Sequence, residues 1–337
     1  MRYLLSIFLL VICLNSLPDH LSAQSPGNFE LSKKISIPGN GGYDYMTIDQ
    51  TNKRLYVSHG TNVTVIDLKT DQIVGTIDGL TGVHGIALAP EFNKGFISDG
   101  KGNAVAVFDL STFKLIRTIP ITGKDPDAIM YDPYSKQVFT FNGDSQDATV
   151  IDADKMVQTK TIPLGGTPEF AVSDGEGKIY NNMEDKNVLN VIDAKAGTIL
   201  TTFPLDPCGG PTGLAIDLAH QRLYTVCRKN KGMTVLEIPS GKVITTVPIG
   251  AGVDAVSYDT ATGLIICSNG DGTATIIRQE NPNQYSVVQT LNTQWKAKTH
   301  AYDPQTKTIY FCAFDMQPDN KTRIPDSFKV LVYKMKS

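Results

Sequence analysis

A unit of about 42 residues recurs from residue 44 to the C-terminus, a period that belongs to solenoids, propellers and related arrays. The first block of the unit reads DYMTID at Asp44, HGIALA at His84, DAIMYD at Asp127, EFAVSD at Glu169, TGLAID at Thr212, DAVSYD at Asp254 and KTHAYD at Lys298. A second block follows as RLYVS at Arg54, GFIS at Gly95, QVFTF at Gln137, KIYNN at Lys178, RLYTV at Arg222, LIICS at Leu264 and TIYFC at Thr308. The third runs from VTVID at Val63 to VLVYK at Val330, and the fourth from IVGTI at Ile73 to VVQTL at Val287. Each block is short and rich in β-branched and aromatic residues, with Gly, Pro, Asp and Asn between blocks, so each reads as a strand.

Seven units carry the first three blocks, but the seventh has no fourth, because the chain stops. The missing piece stands at the other end. Residues 29–39 read FELSKKISIPG, similar to the fourth block FKLIRTIPITG at residues 113–123. A displaced last strand closes a ring and removes the open sheet edges that an unclosed array would expose. An open solenoid needs no such strand. The expected fold is therefore all-β: a seven-bladed β-propeller whose last blade is closed by the N-terminal strand. One ring takes up residues 24–337 as a single domain.

Residues 1–23 read as a signal peptide: Arg2, an apolar run over residues 4–14, then Leu21-Ser22-Ala23 before Gln24. The run is too short to span a bilayer. Ile12 before Cys13 is not small, which argues against lipidation. Cleavage near Ala23 would place the chain in a periplasm or outside the cell, and no later stretch of the chain is expected to cross a membrane. Four cysteines remain after cleavage. Cys227, Cys267 and Cys312 end second strands of successive blades and are expected as buried thiols. Cys208 lies in a loop from which Cys227 is within reach. No C-x-x-C-H is present, so covalent haem is not expected. The formal net charge is −3 and the basic residues are scattered, which gives nucleic-acid binding no support. A monomer is expected.

Strand direction sorts the loops onto two faces. The leading residue of each first strand, Asp44, His84, Asp127, Glu169, Thr212, Asp254 and Lys298, belongs to the mouth of the central channel. Loops between second and third strands share that face and carry His59, Asn142, Asn182, Arg228 and Asn269. A longer seventh loop over residues 313–327 and the sole tryptophan, Trp295, add to it. These residues outline a ligand-binding funnel. Carboxylates that converge there repel one another unless protons, a cation or a ligand compensate them. Asp127, Glu169 and Asp254 suit Ca²⁺, Mg²⁺ or Mn²⁺, and His84 would widen the choice to Zn²⁺ or Fe²⁺.

Three uses of this ring follow: plain solvation and backbone hydrogen bonding, a small-molecule or metal site, or a protein-docking surface. The leading expectation is an exported binding protein that recognises a small ligand, a metal ion or a protein partner. The alternatives are a lactonase-like hydrolase, with Glu169 or Asp254 on the metal and His84 as base, and an interaction scaffold. The aspartates that end first and third strands are read as turn formers. No nucleophile elbow, Walker loop or H-E-x-x-H occurs.

The VTVID-x-TIP-φ-G pattern and the (L/I)Y(V/T)(S/N) strand resemble YVTN-type β-propeller repeats. Segments such as HGIALAPEFNKGFISDG and DPDAIMYDPYSKQVFTFNG are most similar to the exported YncE-like branch. The resemblance covers the whole mature chain and implies a seven-bladed propeller outside the cytoplasm. It carries no catalytic motif, and fold does not by itself fix function.

Overall fold

The computed structural model describes residues 28–319 and 321–336. The expected signal segment lies outside the described residues. Among the described residues, twenty-eight strands form seven antiparallel four-stranded sheets, and the one helical element is a short 3₁₀ turn, Pro90–Phe92. Six blades are built from consecutive strands. The seventh takes His300–Asp303, Thr308–Ala313 and Lys329–Met335 from the C-terminus and Phe29–Ser36 from the N-terminus. Phe29 pairs with Met335 and Ser36 with Lys329, so the ring closes as the displaced strand requires.

The second and third strands are buried at almost every position because both of their faces are covered. Side chains alternate across a strand, and adjacent residues of one strand enter different inter-blade cores. Tyr56 joins Val65, Ile97 and Phe108 in the core between the first two blades. Its neighbours Leu55 and Val57 join Tyr310, Cys312 and Val332 on the other side. Fourth strands keep only one or two buried apolar anchors, such as Ile77, Ile119 and Ile162 or Phe29 and Ile35, and are otherwise exposed or half-buried.

Turn chemistry follows the expected pattern. Asp49 accepts from the amides of Thr51 and Asn52, and Asp109 from those of Ser111 and Thr112. Two sequence expectations are corrected. Cys227 is not a free thiol but is bonded to Cys208, while Cys267 and Cys312 are buried and free. His59, expected in a loop on the funnel face, ends the strand Arg54–His59 and is buried, stacked on Phe328 with ring centroids 4.5 Å apart.

First strands crowd together at the ring centre. A Cβ on Gly213 would lie 2.8 Å from the Asp254 carbonyl oxygen and 2.9 Å from the Ala255 Cα. That contact is with backbone and cannot be relieved by a rotamer change. Gly213→Ala should therefore lower stability by about 1–3 kcal/mol, read as a reduced denaturant midpoint with an unchanged m-value. Deleting residues 28–36 should expose the edge of Lys329–Met335, and size-exclusion chromatography should show aggregated or unfolded protein. A monodisperse, cooperatively folding deletion would show that closure is dispensable.

Candidate functional site

The start of each first strand pairs with the end of the second, as in Val83 with Asp99 and Pro126 with Asn142. This places the leading residues and the loops between second and third strands at one end of the ring. Several leading positions are fixed by the preceding blade. Ser98 Oγ donates to the Asp127 carbonyl at 2.6 Å, Asn182 Nδ2 to that of Thr212 at 2.8 Å, and Ser268 Oγ to that of Lys298 at 2.6 Å. These three donors occupy the same position of their second strands.

The leading residues do not form one uniform ring. Thr212 is fully buried, and its hydroxyl is turned to the Val226 and Val253 carbonyls. Asn142 and Asn269 are buried inside their own blades. Asn142 Nδ2 bonds Asp147 and Thr149, and Asn269 Nδ2 bonds Thr273 and Thr275. Those three side chains brace the scaffold rather than face the funnel.

The charged members separate into two groups. In the first, His84 Nδ1 lies 2.7 Å from Asp44 Oδ2 and 3.4 Å from Asp127 Oδ1, and Nε2 lies 3.9 Å from Asp125 Oδ1. Burial opposes a charge on His84, but the Asp44 hydrogen bond and the Asp127, Asp44 and Asp125 carboxylates outweigh it and raise its pKa to about 9. Burial, with repulsion from Asp44, raises the Asp127 carboxyl to about 7 against the opposing pull of His84. In the second group, Asp254 binds both Arg228 Nη2 and Lys298 Nζ, and Arg228 Nη1 reaches Glu184 at 2.9 Å. Asp254 is thus already compensated by two cations. Glu169 makes no ion pair among the described residues. Burial first, then Asp127 and Asp254, hold its carboxyl well above the usual range. The expected metal donors Asp127, Glu169, Asp254 and His84 are therefore not brought together as a set. The atoms that do converge belong to Asp44, His84 and Asp127.

Sequence reasoning passed over Tyr45, which follows a leading residue and reaches from the first blade to Phe170 of the fourth, with ring centroids 5.6 Å apart. Burial and then Asp127, Asp44, Glu169 and Asp254 all oppose ionisation of its hydroxyl. Below it, first strands of all seven blades line a small cavity of about 90 Å³. His300, in that lining, is held neutral between Ser257 Oγ at 2.8 Å and Ser268 Oγ at 2.9 Å.

Beside the mouth lies a cleft of about 550 Å³. Tyr43, Trp295 and Phe314 supply aromatic walls, and Arg228, Lys296, Lys298 and Arg323 bring four cations against one acid, Asp271. Trp295 is 45% exposed. The long seventh loop forms one wall, tied by a Met316–Arg323 bridge and by the Ile324 amide to the Asp315 carbonyl at 2.8 Å. The Arg323 guanidinium lies over Phe314, 4.5 Å from the ring centroid. Trp295 and the seventh loop were legible as funnel residues, whereas Tyr43 and Lys296 carried no distinguishing pattern.

No family model matches the chain. A segment of 89 residues is 34% identical to antigen Lp49 of Leptospira interrogans serogroup Icterohaemorrhagiae serovar copenhageni, covering 26% of this chain and 20% of that protein. The chain thus matches about a fifth of that relative's length. Among solved structures, a chain of Kuenenia stuttgartiensis hydrazine synthase superposes with a TM-score of 0.71 at 15% identity, over 90% of this chain and 97% of that one. A chain from a mitotic checkpoint complex superposes with a TM-score of 0.76 at 12% identity, over 99% and 100% respectively. At such identities the likeness concerns the propeller fold alone. Among the described residues no helix is long and apolar enough to cross a membrane.

Burial lowers the His300 pKa to about 3 from an ordinary value near 6.5. The unfolded chain then binds a proton that the native protein refuses, so this residue's contribution to stability falls as pH drops below about 6.5 towards 3. The expected slope is about 1.4 kcal/mol per pH unit. Urea unfolding of wild type and His300→Gln between pH 4 and 7 should show the variant with the shallower pH dependence. Parallel curves would contradict a neutral His300.

Proposed function

We propose that the protein is an exported, non-catalytic binding protein that holds a small organic anion with a flat apolar portion in the funnel-face cleft. One observation carries this reading. Lys296 and Arg323 stand beside three aromatic side chains, and neither has a carboxylate partner among the described residues. Arg228 and Lys298 differ, since Asp254 and Glu184 already compensate them. A cleft of this size takes a small molecule. Trp295 and Phe314 offer surfaces for stacking, and the two uncompensated cations favour carboxylate, sulfonate or phosphate. The signal-peptide reading of residues 1–23 and the resemblance to YVTN-type repeats of the YncE-like branch support an extracytoplasmic setting. The segment shared with a leptospiral antigen is compatible with it.

Trp295 is the only tryptophan in the chain, so its fluorescence reports directly on the cleft. In a panel of aromatic carboxylates and phosphates assayed with chelator present, anionic members should quench or shift the emission, and neutral analogues should not. The Lys296→Ala/Arg323→Ala double variant should weaken binding at least tenfold, about 1.4 kcal/mol, and added salt should weaken it in the wild type. Equal response to anionic and neutral compounds, or none at all across the panel, would overturn the reading.

A further inference from the structure

The other half of the funnel mouth has a different chemistry. Asp44, His84 and Asp127 lead the first three blades, and one donor atom from each lies within 4.8 Å of the other two. His84 Nδ1 stands 2.7 Å from Asp44 Oδ2 and 3.4 Å from Asp127 Oδ1. Donor atoms that share an ion through bonds of about 2.0–2.2 Å sit about 3–3.5 Å apart; the 3.4 Å separation has that spacing, and the 2.7 Å pair is at hydrogen-bond distance and opens by a few tenths of an ångström when an ion replaces the proton. Asp127 Oδ1 is buried and makes no hydrogen bond; its one ion-pair neighbour among the described residues is the His84 imidazole, 3.4 Å away, so its remaining lone pair is free for a further ligand. The imidazole is seated by design of the backbone: a Cβ on Gly100 would lie 2.7 Å from His84 Nε2.

The donors are also held from behind. Ser58 Oγ accepts from the Asp44 amide at 2.7 Å. Ser98 Oγ accepts from the Gly85 amide at 2.8 Å and donates to the Asp127 carbonyl at 2.6 Å. Supporting contacts of this kind on strands, rather than on mobile loops, pre-set a ligand constellation.

We propose that His84 Nδ1, Asp44 Oδ2 and Asp127 Oδ1 form a binding site for a first-row divalent transition metal at the funnel mouth. One imidazole and two carboxylates suit Mn²⁺, Fe²⁺, Co²⁺ or Zn²⁺, while Ca²⁺ asks for six to eight oxygens. A divalent ion balances the two carboxylates. Three protein ligands leave coordination positions open towards the funnel. Thiols do not compete, since Cys208 and Cys227 are bonded to each other and Cys267 and Cys312 are buried. The site uses none of the cleft residues, so it stands or falls separately from the organic-anion reading.

The test is titration of tag-free, chelator-stripped, full-length protein with Zn²⁺, Mn²⁺ and Co²⁺ in the absence of organic anions. One equivalent should bind by calorimetry. Asp44→Asn, His84→Gln and Asp127→Asn should each reduce affinity at least tenfold, while Asp154→Asn, an exposed carboxylate elsewhere, should not. Circular dichroism checks that each variant folds. The visible spectrum of the Co²⁺ form should change on His84→Gln, which reads nitrogen ligation rather than fold. Failure to bind any of the three ions would overturn the proposal. So would binding that survives His84→Gln and Asp127→Asn unchanged, which would leave the cluster as an imidazolium–carboxylate ion pair.

Discussion

Every feature of the funnel depends on the antiparallel pairing of Phe29–Ser36 with Lys329–Met335. That pairing joins residues about 300 positions apart and is what turns seven sheets into a ring. Without it the last blade presents an open edge, and the first and seventh blades lose the wall they share. Ile35 and Ile37 of the N-terminal segment pack into the same core as Leu55, Val57 and Phe328. Closure and core formation are therefore one event, and loop-closure entropy must be met before either rewards it.

Once the ring is closed, polarity at its mouth is decided by which side chains find partners. Serine and asparagine on second strands fix the carbonyls of the neighbouring leading residues, so the mouth is set by backbone geometry. Charge then divides. Arg228 and Lys298 neutralise Asp254 on one side. On the other, His84 pairs with Asp44 and Asp127 and faces Asp125. The acidic, imidazole-bearing half and the cationic, aromatic half of the funnel are thus chemically distinct, and the two proposed ligands fall on different halves. Tyr45, uncharged, lies across the channel between the first and fourth blades.

The fold was legible because it rests on repetition. An Asp closes six of the seven first-strand blocks, the second and third strand blocks recur in every unit, and the displaced FELSKKISIPG segment announced the closure. The site was legible only as a list of leading residues. The charged leading residues gather in two groups around His84 and Asp254, with Glu169 outside both, whereas Thr212, Asn142 and Asn269 spend their polar atoms inside the blades. A strand-end Asn reads the same in sequence whether its amide faces solvent or a threonine two residues along the partner strand.

The sequence by itself determined the number of blades, the strand order within each and the face on which the loops gather. Those follow from local periodicity and turn chemistry, which short segments carry independently. Tertiary structure decided the pairings: Cys208 with Cys227, Asp254 with two cations, His84 with Asp44, His59 with Phe328. Each depends on distances of a few ångströms between segments far apart in the chain. No periodic pattern encodes such distances; they arise only when seven blades are fixed around one axis.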